Sequence, residues 1–429
     1  MFYGWILLPA LCLVYGLAIG PAFYGFGVAL PSTAEMLDLS RTEASATFSL
    51  LVLLLGLTAP LVAILMRRVG TRLTMTIGAV LLVAGAVLVA VGDSFITYLL
   101  GAGVLMGFGL GALTVLPGTS LINVWFVRRR ALAMGLFLTA GGLGGFAAAA
   151  VIAPLIVSAG PRSAWWLIAG TSLAAGVIAF VFVRESPAAM GQLPDGASAS
   201  ASASADGQAA AAKPSRVYHS TVDWPVAKAL RSPVFWMIVA GYTIFGLGLQ
   251  LANSQIVAHL TGIGVVATLA ASALGTMALV SALSRLVGGL LGDLIEPRFL
   301  LAAGLAGQVV GMLLLTTATS PLQIYSAVIL FGGGYGIAYL SVPPLVANYF
   351  GAGSYPALFG IAMPVGTVIG AGGPILAGIV YDATSSYTTV FIGFAIAAAV
   401  IAVIAPFLRP PRPTPAMASD GADATTAVS

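Results

Sequence analysis

In "ALVSALSRLVGGLLGD", residues 278–293, a single guanidinium, that of Arg285, is set among apolar and small side chains. Its planar fork of donors, permanently charged, suits a carboxylate through two parallel hydrogen bonds. The competing role for such a charge is a lock, in which the arginine pairs with a buried acid. All thirteen acids can be placed: Glu35, Asp38, Glu43, Asp93, Glu185, Asp195, Asp206, Asp223, Asp293, Glu296, Asp382, Asp420 and Asp423. Each lies in a loop, at the end of an apolar run or in a tail. Arg285 therefore either satisfies itself on backbone carbonyls and water or receives a mobile anion, and the anion is the preferred reading. Catalysis has no comparable support: no Ser/His pair, carboxylate pair or metal-ligand cluster falls within an apolar run, so neither an enzyme nor a cofactor is expected.

The element carrying Arg285 reads as a helix. Ala278, Ser281, Arg285, Gly288 and Gly292 recur at three- and four-residue spacing beside an apolar row of Leu279, Leu283, Leu286 and Leu290. Arg285 precedes Asp293 by eight residues, roughly 12 Å along a helix. In a hydrocarbon core about 30 Å thick that depth is near the midplane. A charge there costs roughly 2.5–3.5 kcal/mol on insertion scales, so the side chain must face protein or water.

A membrane is required by composition. Of 429 residues, 59% are hydrophobic and 7% charged, and the mean hydropathy is +1.06, far from a soluble domain. Strand-like alternation is absent, which leaves helices as the structure that satisfies the backbone in lipid. Twelve spans are read at 5–30, 43–66, 73–91, 97–122, 131–158, 163–183, 233–259, 264–292, 299–317, 321–348, 356–381 and 387–408. The first lacks a basic leader and is too long for a signal segment, so it is expected to be retained. The one cysteine, Cys12, has no intrachain partner. Fourteen of the seventeen basic residues fall on the side of the termini, against Arg41 and Arg162 on the other. The positive-inside rule then places both termini in the cytoplasm of a multi-pass cell-membrane protein. The surplus charge is topological, and no nucleic-acid partner is expected.

The chain divides into a half at 1–183, a linker at 184–232, a half at 233–408 and a tail at 409–429. The linker, rich in Ala, Ser, Gly and Pro, and the polar tail are expected to be disordered. The halves repeat at an offset of 225 without a gap. Gly107, Gly109 and Gly111 fall on Gly332, Gly334 and Gly336; Asn123 falls on Asn348, Trp125 on Phe350, and Gly135, Gly141 and Gly145 on Gly360, Gly366 and Gly370. Spans four and five thus recur as ten and eleven. Six spans per half give both copies one topology, related by an axis along the membrane normal, the arrangement of the major facilitator superfamily. Close helix packing explains most of these glycines.

Residues 103–145, above all "WFVRRRALAMGL", resemble the span-four to span-five region of the monocarboxylate transporter family and the bacterial oxalate/formate exchangers. The opening "GWILLPALCLVYGLAIGPAFYGFGVALP" and "AKALRSPVFWM" before span seven are similar to those families too. The resemblance implies an all-α facilitator fold and a substrate-binding arginine at Arg285. It has departures. "LMRRVGTRL" carries Arg67 where the superfamily's loop motif has an acid, and "GGLLGDLIEPR" keeps the acid as Asp293 without the basic pair. The exchangers' lysine in span eleven corresponds to Gly366, the animal transporters' lysine in span one lies near Phe23, and their acid one turn before the arginine corresponds to Ser281.

One fixed cation, whose repeat counterpart is Pro60, favours a singly charged substrate, because a second carboxylate would enter uncompensated. Tyr335 and Tyr339, four residues apart, are placed with Arg285 in the pocket, although packing alone would also explain them. Thr114, where relatives often carry tyrosine, and Tyr24, Asn253 and Leu143 are further candidates. His259 is expected at the membrane interface rather than in a proton relay. The function expected is secondary active transport of a small monocarboxylate such as lactate or pyruvate by alternating access, with or without a proton, by a monomer in the bilayer. An exporter or permease for larger organic acids or drugs, and an anion exchanger, are the alternatives.

Overall fold

A computed structural model describes residues 2–126, 129–193, 217–218, 220, 222–292, 294–351 and 353–411. The centre of the linker, the far tail and Asp293 lie outside the described residues. Among the described residues, eleven helices are each long and apolar enough to cross a membrane, and a bent pair, taken as one span, makes twelve. In chain order they are α1 (Gly4–Met36), α2 (Arg41–Leu57 with Ala59–Val69), α3 (Thr71–Val91), α4 (Phe95–Trp125), α5 (Arg130–Ala159), α6 (Arg162–Phe182), α7 (Pro233–Gly262), α8 (Ala267–Gly292), α9 (Pro297–Thr316), α10 (Pro321–Phe350), α11 (Tyr355–Thr384) and α12 (Thr388–Phe407). α1 runs six residues past the end of its apolar run, and the other ends match to within three. Before α7, Val226–Ala229 forms a short helical turn, and the amides of Ser220 and Trp224 donate to the carbonyls of Asn348 and Phe350.

The repeat is visible as repeated packing. In α4, a Cβ at Gly107 or Gly111 would press on α2, at Leu51 and Thr58, while one at Gly109 would press on Gly78 and Leu82 of α3. In α10, Gly332 and Gly336 meet Met277 and Ser281 of α8, while Gly334 meets Gly304 and Gln308 of α9. The glycine triplet thus lets one helix approach two neighbours in each half. The halves diverge where the charge is: α8 continues through Arg285, whereas α2 breaks at Thr58 ahead of Pro60 and bends by 50°. A proline near the start of a helical arm lacks the N–H that continuation would need.

The halves are joined at the face opposite the termini. Asp382 at the end of α11 accepts from the amides of Arg41 and Thr42 and from the Thr42 hydroxyl at 2.5 Å. Ser40 and Glu43 form a capping box, in which the Glu43 amide donates to Ser40 Oγ and the Ser40 amide donates to the Glu43 carboxylate. All four free amides at the start of α2 are therefore satisfied, two of them by the other half. Deeper in, Gln255 donates to Ser45, and the Ile375 amide donates to Ser49 at 3.1 Å. A Cβ at Gly378 would overlap the Arg41 carbonyl and one at Gly56 the Thr367 side chain, but one at Gly360, two turns nearer the termini, would meet no atom within 4 Å. The α2–α11 seam is thus closed at the far face and parts toward the terminal face.

Asp382→Ala should loosen this seal by roughly 1–2 kcal/mol, the worth of a helix cap. In a Cys12→Ser background, a cysteine replacing Ser49 should then react roughly 5- to 30-fold faster with an impermeant maleimide applied at the far face. Unchanged labelling would remove Asp382 from the closure.

Candidate functional site

Arg285 lies on the stripe of α8 that faces α5 and α10, half-buried. The approach is set by small residues: a Cβ at Gly142 would overlap Ala278 and Ala282, and one at Gly336 would overlap the Ser281 carbonyl. The guanidinium carbon sits 4.7 Å from the ring centroid of Tyr339 and 5.5 Å from that of Tyr335, both on α10. Nη1 donates to the Leu138 carbonyl of α5 over a long 3.4 Å, and Nε is buried without a partner. Among the described residues the one salt bridge joins Arg162 and Asp93 at the far face, so no acid pairs with Arg285. Ring faces attract a desolvated cation by about 2 kcal/mol or more. They carry no net charge, so they leave the charge of the cation unneutralised.

The first half supplies the opposite wall. Residues 20–24 of α1, Gly20–Tyr24, form a π turn that opens with Gly20 and Pro21. Tyr15 and Tyr24 are nine residues apart, about 180° out of phase in a regular helix; the extra residue of a π turn reduces this to about 80°. Both consequently face α5 and α8. Tyr24 and Tyr15 both lie in the electrostatic range of the Arg285 guanidinium. Glycines again allow the approach: a Cβ at Gly141 would strike the Tyr15 ring, one at Gly145 the Tyr24 ring, and one at Gly144 the Gly16 carbonyl.

The structure therefore brings Arg285, Tyr335, Tyr339 and Tyr24 together and adds Tyr15. That residue was missed because a regular helical period hides it; the one signal was the Gly-Pro pair between the two tyrosines. Leu143 is 49% exposed, on the side of α5 away from the glycines that touch α1 and α8. Thr114, buried at the break in α4, donates its hydroxyl to the Leu110 carbonyl at 2.5 Å. Asn253 braces the halves, its Nδ2 donating to the Phe23 carbonyl at 2.7 Å, while the Gly27 position has no room for a Cβ beside the Asn253 carbonyl. His259, expected at the interface, is buried within the second half, its Nε2 3.1 Å from the Leu315 carbonyl and its ring against Phe391. At Gly366, where the exchangers carry lysine, a Cβ would overlap the Tyr242 ring.

A family model described as Major Facilitator Superfamily matches residues 11–371 and 247–428. Monocarboxylate transporter 11 of Homo sapiens is 31% identical over 171 residues, 40% of this chain and 36% of that protein, so the match spans about a third of this relative's length. Monocarboxylate transporter 13 of Bos taurus is 24% identical over 91% of this chain and 85% of its own. An uncharacterized MFS-type transporter of Escherichia coli (strain K12) is 22% identical over 76% of each chain. Among solved structures, a nucleoside transporter aligns with a TM-score of 0.72 at 12% identity, covering 94% of this chain and 99% of that one. A peptide transporter aligns at 0.66 and 14% identity, covering 93% and 95%. At such identities the structural likeness establishes the fold.

If Gly144 lets α1 bring Tyr15 and Tyr24 to the site, Gly144→Ala should destabilise the detergent-purified protein by about 1–3 kcal/mol, read as a lowered thermal midpoint. Gly170→Ala, where a Cβ meets nothing within 4 Å, should stay within about 0.5 kcal/mol of the parent. Equal effects at the two positions would contradict the packing argument.

Proposed function

The chain belongs to the major facilitator superfamily and is a membrane transporter rather than an enzyme, and from that premise we propose that it moves a small monocarboxylate across the cell membrane by alternating access, with Arg285 holding the carboxylate. The observation that carries this reading is a guanidinium at mid-membrane depth that has neutral tyrosine rings and one distant carbonyl around it instead of an acid. A monocarboxylate supplies the missing charge and leaves none in excess. A dianion would bring a second charge into an enclosure with no second cation, at the cost of its desolvation. Monocarboxylate transporters among the relatives agree with this cargo.

Mechanically, the charge excess at the terminal face orients the termini toward the cytoplasm. The structure then corresponds to an inward-facing state, with its outer seal at Asp382 and its opening along α11 near Gly360. Carboxylate binding contributes most when both halves surround it, because Tyr24 comes from one half and Arg285, Tyr335 and Tyr339 from the other. A bound anion thereby favours passage through a closed intermediate, and its release on the other side follows when the halves part there. A proton, where one is co-transported, travels on the substrate's own carboxyl group, since among the described residues no acid pairs with Arg285.

Uptake of labelled lactate into proteoliposomes tests the assignment. Arg285→Gln should reduce it by roughly 30-fold or more, the usual cost of removing one partner of a buried charged pair. Arg285→Lys, which keeps the charge and loses the fork, should fall between the two. Transport at the parental rate by Arg285→Gln would sink the role given to the arginine.

A further inference from the structure

From the terminal face to Arg285 runs a continuous series of aromatic rings, all supplied by the second half. Tyr355 and Phe359 stack with centroids 5.3 Å apart, and Phe359 meets Tyr242 at 5.7 Å. Tyr242 meets Phe245 at 5.3 Å, and Phe245 meets Tyr335 at 5.5 Å and Tyr339 at 6.1 Å. Arg285, over Tyr339, ends the series. Internal packing accounts for Phe245 and Tyr335, which are 2% and 6% exposed. It does not account for Tyr339, Tyr242, Phe359 and Tyr355, each of which stays partly exposed.

Two glycines tell on which side that exposure lies. Gly246 shares a face of α7 with Tyr242 and Asn253, at helical spacings of four and seven, and Asn253 reaches across to the first half. Gly360 follows Phe359 and shares a face of α11 with Thr367, which packs on Gly56 of the first half. A Cβ at either glycine would meet no atom within 4 Å. The partly exposed rings therefore border the gap between the halves rather than lipid.

A short aliphatic acid held at Arg285 would leave these ring faces uncovered. Resting on the reading of Arg285 as the carboxylate anchor, we infer that the preferred cargo is an aryl monocarboxylate, whose ring stacks against Tyr339 and Tyr242 while its carboxylate engages the guanidinium. Phe359 and Tyr355 extend the same surface toward the terminal face, so that a flat substrate slides between stacking partners on its way to the arginine. Aromatic pairs add specific affinity beyond the area they bury, which makes the ring, and not merely its bulk, the recognised feature.

Benzoate and cyclohexanecarboxylate, alike in size and charge, separate the two. Titrated calorimetrically into the purified full-length protein in detergent, benzoate should bind about 3- to 10-fold tighter. In Tyr339→Leu that ratio should fall to about one, and in Tyr339→Phe it should persist. Tyr242→Leu reads the same ratio should Tyr339→Leu fail to yield a monodisperse protein. Equal or reversed affinities in the parent overturn the aryl preference while leaving the anchor intact, provided Arg285→Gln abolishes binding of both acids. Benzoate binding that survives Arg285→Gln overturns the anchor itself and this inference with it.

Discussion

A guanidinium taken from water into the middle of a bilayer demands compensation, and around Arg285 the protein provides it incompletely. Tyr335 and Tyr339 offer ring faces and Leu138 a carbonyl at 3.4 Å, while Nε keeps no partner. Full compensation by a fixed carboxylate would make a strut; neutral groups alone leave a charge that a substrate can complete. The glycines at 142, 144, 145 and 336 bring helices close enough for side chains from both halves to reach one charge. In the proposed function, this arrangement links substrate binding to the relative placement of the halves.

The acids are used where water or helix ends can satisfy them. Asp382 caps α2 across the interface, Glu185 accepts from the amides of Thr71 and Arg72 at the start of α3, and Asp223 accepts from the Gly353 amide ahead of α11. Each places a negative charge where unpaired amides and the helix dipole favour it. Of these, the Asp382 contact joins the two halves, and it lies at the end of the molecule where they are shut. The seam opens beyond Gly56, where α2 bends and α11 presents Gly360 to free space. A seal at one end and a parting at the other is what two rigid halves rocking about a central site would produce.

Much of this was legible in the residues because lipid leaves few choices. The apolar runs located the spans, the ungapped glycine repeat pointed to two like halves, and the isolated charge on a small-residue stripe singled out Arg285, about which the structure gathers Tyr335 and Tyr339. Tyr335 and Tyr339 followed from four-residue spacing on one helix face. What escaped depends on departures from regular geometry. The π turn at Gly20–Tyr24 rephases α1 and brings in Tyr15, which a 100° period places on the wrong side. The hydroxyl of Thr114 is spent on its own helix, and Leu143 turns outward between glycines whose spacing reveals contacts but not their direction. Asn253 reads as a polar lining residue until its amide is found on the Phe23 carbonyl. Composition can show that a polar group is buried; only the fold shows what it bonds.

The account stands on a mobile anion completing the charge of Arg285, and a structure determined with a bromine-bearing monocarboxylate, phased on the bromine's anomalous signal, tests that most directly. The predicted result is one dominant bromine peak between the halves, with the carboxylate on the Arg285 guanidinium and the bromine directed toward Tyr339. A peak elsewhere, with Arg285 paired instead to a carboxylate of the protein, would contradict it.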